Sequence, residues 1–293
     1  MLPDQAIVVT GASGYLAHRL VPKLAALRPV IGIARTAQGV HPAARQLALD
    51  LSESQAVETL AALKPTAIIH AAAGNPGVNT DAMVGSNYRA SLHVAQAARR
   101  CECRAIMVST DVVHGGDSAP YTDAADPTPV NDYGRTKARG EAAFLKVNPD
   151  NTIVRTSLIY GLDQMDRGTS GFQARLQSGA TLSLFEDVWR QPVWIESLVD
   201  ALIDLALRSR PINGFINVAG MQVLSRAEFG MALLDYWGID PADKLNLISG
   251  AGMAGLPLDL RLDCRKALSL GYLLPGVSAV LEAYAAARLN ALL

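Results

Sequence analysis

The chain has 293 residues, half of them apolar and 18% charged, with a formal net charge of −1. That composition excludes a disordered chain, and the charge offers no global attraction to nucleic acid or to an anionic membrane surface. The length leaves room for one large domain or two smaller ones.

Along the first half, short apolar runs alternate with Ala/Leu-rich helical patterns. Strands are predicted at Ala6–Thr10, Val30–Ala34, Gln46–Leu49, Ala67–Ala71, Ala105–Ser109 and Thr152–Arg155. Between them, helices are predicted at Tyr15–Leu27, Ser54–Leu63, Ala82–Arg100 and Asp132–Lys146. Such alternation predicts an α/β fold, a Rossmann-type doubly wound parallel sheet with helices on both faces. After Tyr160 the pattern loosens into a Gly/Ser/Gln-rich stretch. A helix near Glu196–Arg208, a strand near Gly214–Val218 and helices near Ser225–Trp237 and Val277–Leu292 follow. The expected division is a first domain of residues 1–160 with 191–220, and a smaller, discontinuous C-terminal lobe of 161–190 with 221–293.

Residues Ile7 to Ala17 read as a strand, a glycine turn and a helix start in direct succession. Gly11 and Gly14 let the backbone approach a ligand closely. The helix-start segment Ser13, Gly14, Tyr15 and Leu16 brings N–H groups and the helix dipole to bear on a pyrophosphate. The spacing is GxxGxxA, with Ala17 where a third glycine often packs helix on sheet. This predicts a dinucleotide site. The second strand ends Ile33-Ala34-Arg35-Thr36, without the acid that would hold a ribose 2′-hydroxyl and with Arg35 able to pair with a 2′-phosphate. NADP(H) is therefore favoured, with NAD(H) the alternative. Asp50, ahead of Leu51, is placed to accept from the adenine amino group, and Ala71, Ala72 and Ala73 leave room for the cofactor's backbone.

Tyr133 and Lys137 stand four residues apart in a predicted helix, hence on one face. There Lys137 is expected to stabilise the phenolate of Tyr133, whose ordinary pKa near ~10 would make it a slow acid. Cys101, Cys103 and Cys264 are odd in number and lack metal-ligand spacing, so they read as reduced structural or surface thiols and no metal is expected. No apolar run reaches the ~18 to 20 residues of a membrane span, and the start of the chain carries no basic leader. A cytoplasmic protein is expected.

On these motifs the chain resembles the extended short-chain dehydrogenase/reductase family over most of its length. TGASGYLA is similar to that family's glycine motif, HAAA to its cofactor-shaping turn and Tyr133/Lys137 to its catalytic pair. The resemblance implies that Thr110, beside Ser109 at the end of the fifth strand, completes the catalytic set. Thr110 and Tyr133 would hydrogen-bond the reacting oxygen, Lys137 would also hold the nicotinamide ribose, and Ser109 would lie against the cofactor. Asn87 matches a family asparagine in the fourth helix. Within the family, the runs STDVVHGG, VRTSLIYG, INVAGMQVLSRAEFG and LPLDLRLDCRKALSLGYLLPG resemble the dTDP-4-dehydrorhamnose reductase branch and its sugar-nucleotide-binding relatives.

What that branch implies is hydride transfer to the keto group of a sugar nucleotide or a related small carbonyl compound. An epimerase with a retained cofactor and a regulatory NADP-binding subunit are the rival readings. Sugar-nucleotide dehydratases of the family carry Asp-Glu after the Thr, whereas here Val112 follows Asp111, so elimination lacks its base. Asp111 either orders its loop or meets substrate. His114, Arg190 and Trp194 are substrate-binding candidates, with Trp189 and Gln191 in the same stretch. The family also implies a homodimer. His70 reads as a satisfied core histidine and Arg155 as half of a structural ion pair.

Overall fold

The computed structural model describes residues 6–163, 167–241 and 244–292. In chain order the elements begin β1 (Ile7–Thr10), α1 (Tyr15–Ala25), β2 (Val30–Ala34), β3 (Arg45–Ala48), α2 (Ala56–Ala62) and β4 (Ala67–His70). Next come a short α3 (Thr80–Met83), a π-helix (Val84–Arg89), α4 (Ala90–Arg100), β5 (Arg104–Thr110), a 3-10 turn (Asp111–Val113), α5 (Asp132–Val147) and β6 (Thr152–Thr156). The remainder comprises β7 (Ile159–Tyr160), α6 (Arg167–Gln177), β8 (Leu182–Phe185), β9 (Trp189–Arg190), β10 (Val193–Trp194) and α7 (Ile195–Leu207). It closes with β11 (Gly214–Val218), β12 (Leu224–Ser225), α8 (Arg226–Trp237), β13 (Leu245–Ile248), α9 (Arg265–Ser269) and α10 (Val277–Leu292).

Seven strands form one sheet in the order β11-β6-β5-β4-β1-β2-β3, and the pairs β1–β2, β1–β4, β2–β3 and β4–β5 are parallel. The chain winds outward from β1 to β3, then restarts beside β1 at β4. That reversal leaves a crevice at the carboxyl ends of β1 and β4, where sheets of this kind bind ligands. Strands β1, β2 and β4 are buried along their whole length, as their apolar, β-branched runs demand, whereas β3 at the sheet edge is mostly exposed. Arg104 closes the C-terminal end of α7 by donating from Nη1 to the carbonyls of Leu205, Ala206 and Arg208. Among the described residues no helix is long and apolar enough to cross a membrane.

The chain divides into two compact units. The first comprises Met1–Val113, Asn131–Arg155 and Val199–Ile216, and the second His114–Val130, Thr156–Leu198 and Asn217–Leu293. This differs from the expected division, which put residues 114–130 in the first domain; that segment is held by the C-terminal part of the chain. Tyr121 N–H donates to Arg261 O, Asp263 N–H donates to Tyr121 O, and the Asn217 side chain donates to the carbonyls of Tyr121 and Asp263. The second unit has its own apolar cluster of Tyr160, Leu162, Trp194, Phe229, Leu233, Val277 and neighbours. Helix α8 starts on a capping box between Ser225 and Glu228 and stops at Gly238 in the left-handed conformation. Helix α6 lies where no element was predicted. Glycines 168 and 171 and Ser170 weaken its helical signal, and the packing of Phe172 and Leu176 against Leu182 and Leu234 overrides them.

The predicted helix Ala82–Arg100 is one continuous path in three pieces, with the π-turn centred on Asn87. Gly140 of α5 abuts that turn so closely that a Cβ there would lie 2.2 Å from the Asn87 carbonyl oxygen. Gly140→Ala is therefore expected to lower stability by about 1–3 kcal/mol, the usual cost of overpacking, although alanine is the better helix former. Urea denaturation checks this, and an unchanged or raised midpoint would refute it.

Candidate active site

The glycine turn is built from contacts on both of its sides. Gly11 has φ +68°, and a Cβ there would meet Ala72 N at 2.7 Å, so glycine is required by the adjacent turn after β4 as well as by its own backbone conformation. Gly14 is different. It is exposed, N-caps α1 without any side-chain acceptor, and a Cβ there would meet only the Gly11 oxygen, at 3.0 Å, beyond its own helix and chain neighbours. The first turn of α1 carries no acidic residue. Open space over an uncapped helix start is a cradle for an anion, so these residues fit the pyrophosphate of a dinucleotide.

Of the other cofactor candidates, Ser13, Arg35 and Ala73 are exposed, and Tyr15, Ala71 and Ala72 are half-buried. Leu16 and Leu51 are buried, Leu51 within the apolar core of the first unit. Asp50 Oδ1 already accepts from Ser52 N and Oγ, at 2.8 and 2.7 Å. Those bonds hold its carboxyl below the usual carboxylate range, with Arg35 adding a favourable charge.

Strand β5 delivers Ser109 and Thr110 to the sheet's carboxyl edge, and α5 delivers Tyr133 and Lys137. Helix α5 starts cleanly because Asn131 caps it, accepting from Gly134 N at 2.9 Å. Thr110 Oγ1 donates to Asp111 Oδ1 at 3.2 Å, accepts from Val112 N at 3.2 Å, and lies beside the Tyr133 side chain, whose phenol it can bond in turn. Thr110 and Asp111 are buried. Thr110 and Tyr133 thus meet within one unit.

The expected tuning of Tyr133 by Lys137 is not found. Burial, aided by the negative charge of Asp111, pushes the Tyr133 phenol up to about 12, and only the bond with Thr110 acts in the opposite sense. The Lys137 ammonium instead donates to the Val108 carbonyl at 2.8 Å, and burial brings it down to about 8. Sharing a helical face did not direct the ammonium at the phenol, because a buried lysine must satisfy its donors on the nearest acceptor. In this state Tyr133 is a protonated phenol across the neutral range.

Three networks lie behind these side chains. Asn87 accepts from Gly74 N at 2.8 Å and donates to Gly74 O and to Thr136 Oγ1, each at 3.0 Å, tying the turn after β4 to α5. The π-helix supplies the geometry this needs, and the match of Asn87 to a family asparagine was its signal in the sequence. His70 bonds Thr10 Oγ1 at 2.7 Å and Ser91 Oγ at 3.1 Å. Burial, with Lys137 nearby, pushes it down to about 3, so it is a neutral core histidine. The predicted ion pair of Arg155 is with Glu141 at 2.9 Å, both side chains being essentially unexposed. Ser109, taken as a cofactor residue, spends its hydroxyl on the same carboxylate at 2.5 Å.

In the second unit the substrate candidates are largely internal. His114 is fully buried and stacks on Tyr121 with ring centroids 4.0 Å apart. Trp194, expected to face a ligand, packs between Tyr160 at 5.4 Å and Tyr284 at 5.2 Å. Gln191 accepts from Leu262 N. Arg190 is buried in β9, which pairs with β12. Indole and imidazole rings at such positions are drawn into the core by their area, which residue type alone does not distinguish from ligand stacking.

Comparison with known proteins gives the family. The family model described as the RmlD substrate binding domain matches residues 5–272. A dTDP-4-keto-6-deoxy-D-glucose reductase of Streptomyces niveus is 33% identical over 206 residues, 68% of this chain and 67% of the relative. The methionine adenosyltransferase 2 subunit beta of Rattus norvegicus is 27% identical over 283 residues, 92% of this chain and 84% of that one. The crystal structure of dTDP-4-dehydrorhamnose reductase from Bacillus anthracis, in complex with NADP, superposes with a TM-score of 0.80 at 22% identity, covering 95% of this chain and 98% of that one. With a doubly wound sheet, a glycine turn at the switch point and a Thr/Tyr/Lys set along β5 and α5, the chain belongs to the RmlD substrate-binding-domain family of extended short-chain dehydrogenase/reductases.

Proposed function

We propose that this protein is an NADP(H)-dependent reductase acting on the keto group of a nucleotide-linked deoxysugar, of the kind that dTDP-4-dehydrorhamnose reductases use. The observation that carries this reading is the meeting of Thr110, at the carboxyl end of β5, with Tyr133 and Lys137 in the first turns of α5. A bound nicotinamide supplies the hydride. Gly11, Ser13, Gly14, Tyr15 and Leu16 hold its pyrophosphate, Arg35 pairs with the 2′-phosphate, and Ala71, Ala72 and Ala73 flank its backbone. Tyr133 gives its proton to the carbonyl oxygen as negative charge develops there, and Thr110 adds a second hydrogen bond. The Lys137 ammonium supplies positive charge to the same region. Asp111 accepts from Thr110 before substrate binds, and the hydroxyl turns from Asp111 to the carbonyl oxygen in the reaction.

The test is stoichiometric NADPH oxidation by dTDP-4-keto-6-deoxysugars. Sugar isomerisation without net cofactor oxidation would identify an epimerase instead. The regulatory-subunit reading draws support from the long match to the methionine adenosyltransferase subunit. It would prevail if no carbonyl substrate were turned over and a partner enzyme co-purified in stoichiometric amount. For the cofactor, Arg35→Ala is expected to weaken NADPH binding by about 10- to 100-fold, the worth of a charge-assisted contact, and to leave NADH binding unchanged. Parallel fluorescence titrations check this, and equal loss for both cofactors would remove Arg35 from the 2′-phosphate.

A further inference from the structure

The sequence Arg99-Arg100-Cys101-Glu102-Cys103-Arg104 lies on the far side of β5 from Thr110, where α4 ends and the strand begins. Cys101 is the C-cap of α4, and Glu102 takes the left-handed conformation, φ +54°, at the position where helices commonly reverse. The reversal is fixed by backbone bonds from Cys101 N to Ala97 O, Glu102 N to Arg99 O and Cys103 N to Ala98 O. In a continuing helix, side chains two apart diverge. Here the left-handed residue folds them together, and the two sulfurs lie 3.4 Å apart, within hydrogen-bonding distance of each other.

We propose that Cys101 and Cys103 form a thiol modification site, a reversible dithiol that small disulfides of the glutathione class oxidise to an intrachain disulfide. Cys101 is half-buried and lines a shallow depression with Glu58, Lys64 and Arg100. Cys103 is buried and borders a groove carrying Arg28, Arg99, Arg104 and Lys146. On that groove the cations outnumber the acids Glu102 and Asp150, which favours an incoming disulfide that bears carboxylates. The two thiols also differ in reactivity. The hydrogen bond from Cys103 brings Cys101 down to about 7, while that bond and burial push Cys103 well up.

The division of labour follows. The Cys101 thiolate attacks one sulfur of the small disulfide and expels the other half as a thiolate, leaving a mixed disulfide on Cys101. Cys103 then loses its proton, attacks Cys101 Sγ and releases the second half as a thiol. The protein gives up two electrons and two protons, and the small disulfide becomes two thiols. Sulfurs already in contact need only a short closing movement, and the reaction reverses when reduced thiol is in excess.

Cys264 is an internal control. It is buried and burial pushes it up to about 12, so it should stay reduced. The experiment treats the reduced full-length protein with oxidised glutathione at about pH 8, quenches in acid and reads intact mass and peptide linkage. Expected are loss of two hydrogens, a Cys101–Cys103 linkage and no retained glutathione. Cys101→Ser should stay unmodified over the same time, and Cys103→Ser should accumulate one glutathione on Cys101. An unchanged wild-type mass, a glutathione adduct that persists in the wild type, or a linkage involving Cys264 would each overturn the proposal. The wild-type result decides it even if the buried Cys103→Ser change prevents folding.

Discussion

Tyr133→Phe should reduce the turnover of keto-sugar reduction by about 10² to 10⁴, the range for loss of a positioned general acid. The phenol ring and its burial are retained, so urea denaturation should report a stability within about 1 kcal/mol of the parent, the modest net worth of one hydrogen bond. NADPH affinity should also hold, because the phenylalanine keeps the ring that borders the site. The pH profile gives a second readout. With the phenol pushed up to about 12 and Lys137 brought down to about 8, the ionisation that limits kcat/KM on the alkaline side in the free enzyme is that of Lys137. Activity dependent on the ammonium is then full below that value and declines as pH rises through it. Wild-type turnover by the Phe variant, or an alkaline limb unaltered in Lys137→Met, would remove these residues from the chemistry.

The other large effect is on stability. Arg155→Leu strands the Glu141 carboxylate in the core, with the Ser109 hydroxyl as hydrogen-bond partner and Lys137 as the charge left near it, and should cost about 3–5 kcal/mol. Replacing both members, Glu141→Leu with Arg155→Met, should recover most of that loss, because a buried pair has a desolvation cost that apolar groups avoid. The exposed pair Arg100–Glu58 is the control, its side chains being 59% and 66% exposed, and its disruption should cost less than about 1 kcal/mol. Equilibrium urea unfolding separates the cases. If Arg155→Leu cost no more than the surface control, the pair would not be a buried electrostatic unit.

Ser109 links this pair to the site. Its hydroxyl donates to Glu141, and the next residue is Thr110, so the ion pair fixes the strand end that carries the proposed catalytic threonine. The sequence indicated Ser109 only by its place in a motif, and the motif does not say which way the hydroxyl turns. Lys137 offers the same lesson. Its spacing from Tyr133 was correct, but the direction of its ammonium depended on Val108, twenty-nine residues earlier and on another element.

What the sequence determined by itself was local. Alternating short strands and helices, the glycine turn from Gly11 to Ala17, and the i,i+4 placement of Tyr133 and Lys137 follow from backbone periodicity and from glycine's freedom at φ +68°. These are properties of neighbouring residues and need no partner. The tertiary structure decided which candidates met. It brought Thr110 to Tyr133, bound Asn87 to Gly74 and Thr136, and drew His114 and Trp194 into aromatic packing. The physical reason is that burial changes what a side chain does. Out of water, each polar group takes the nearest partner, each ring takes the largest apolar neighbour, and both choices are made by segments far apart in the chain.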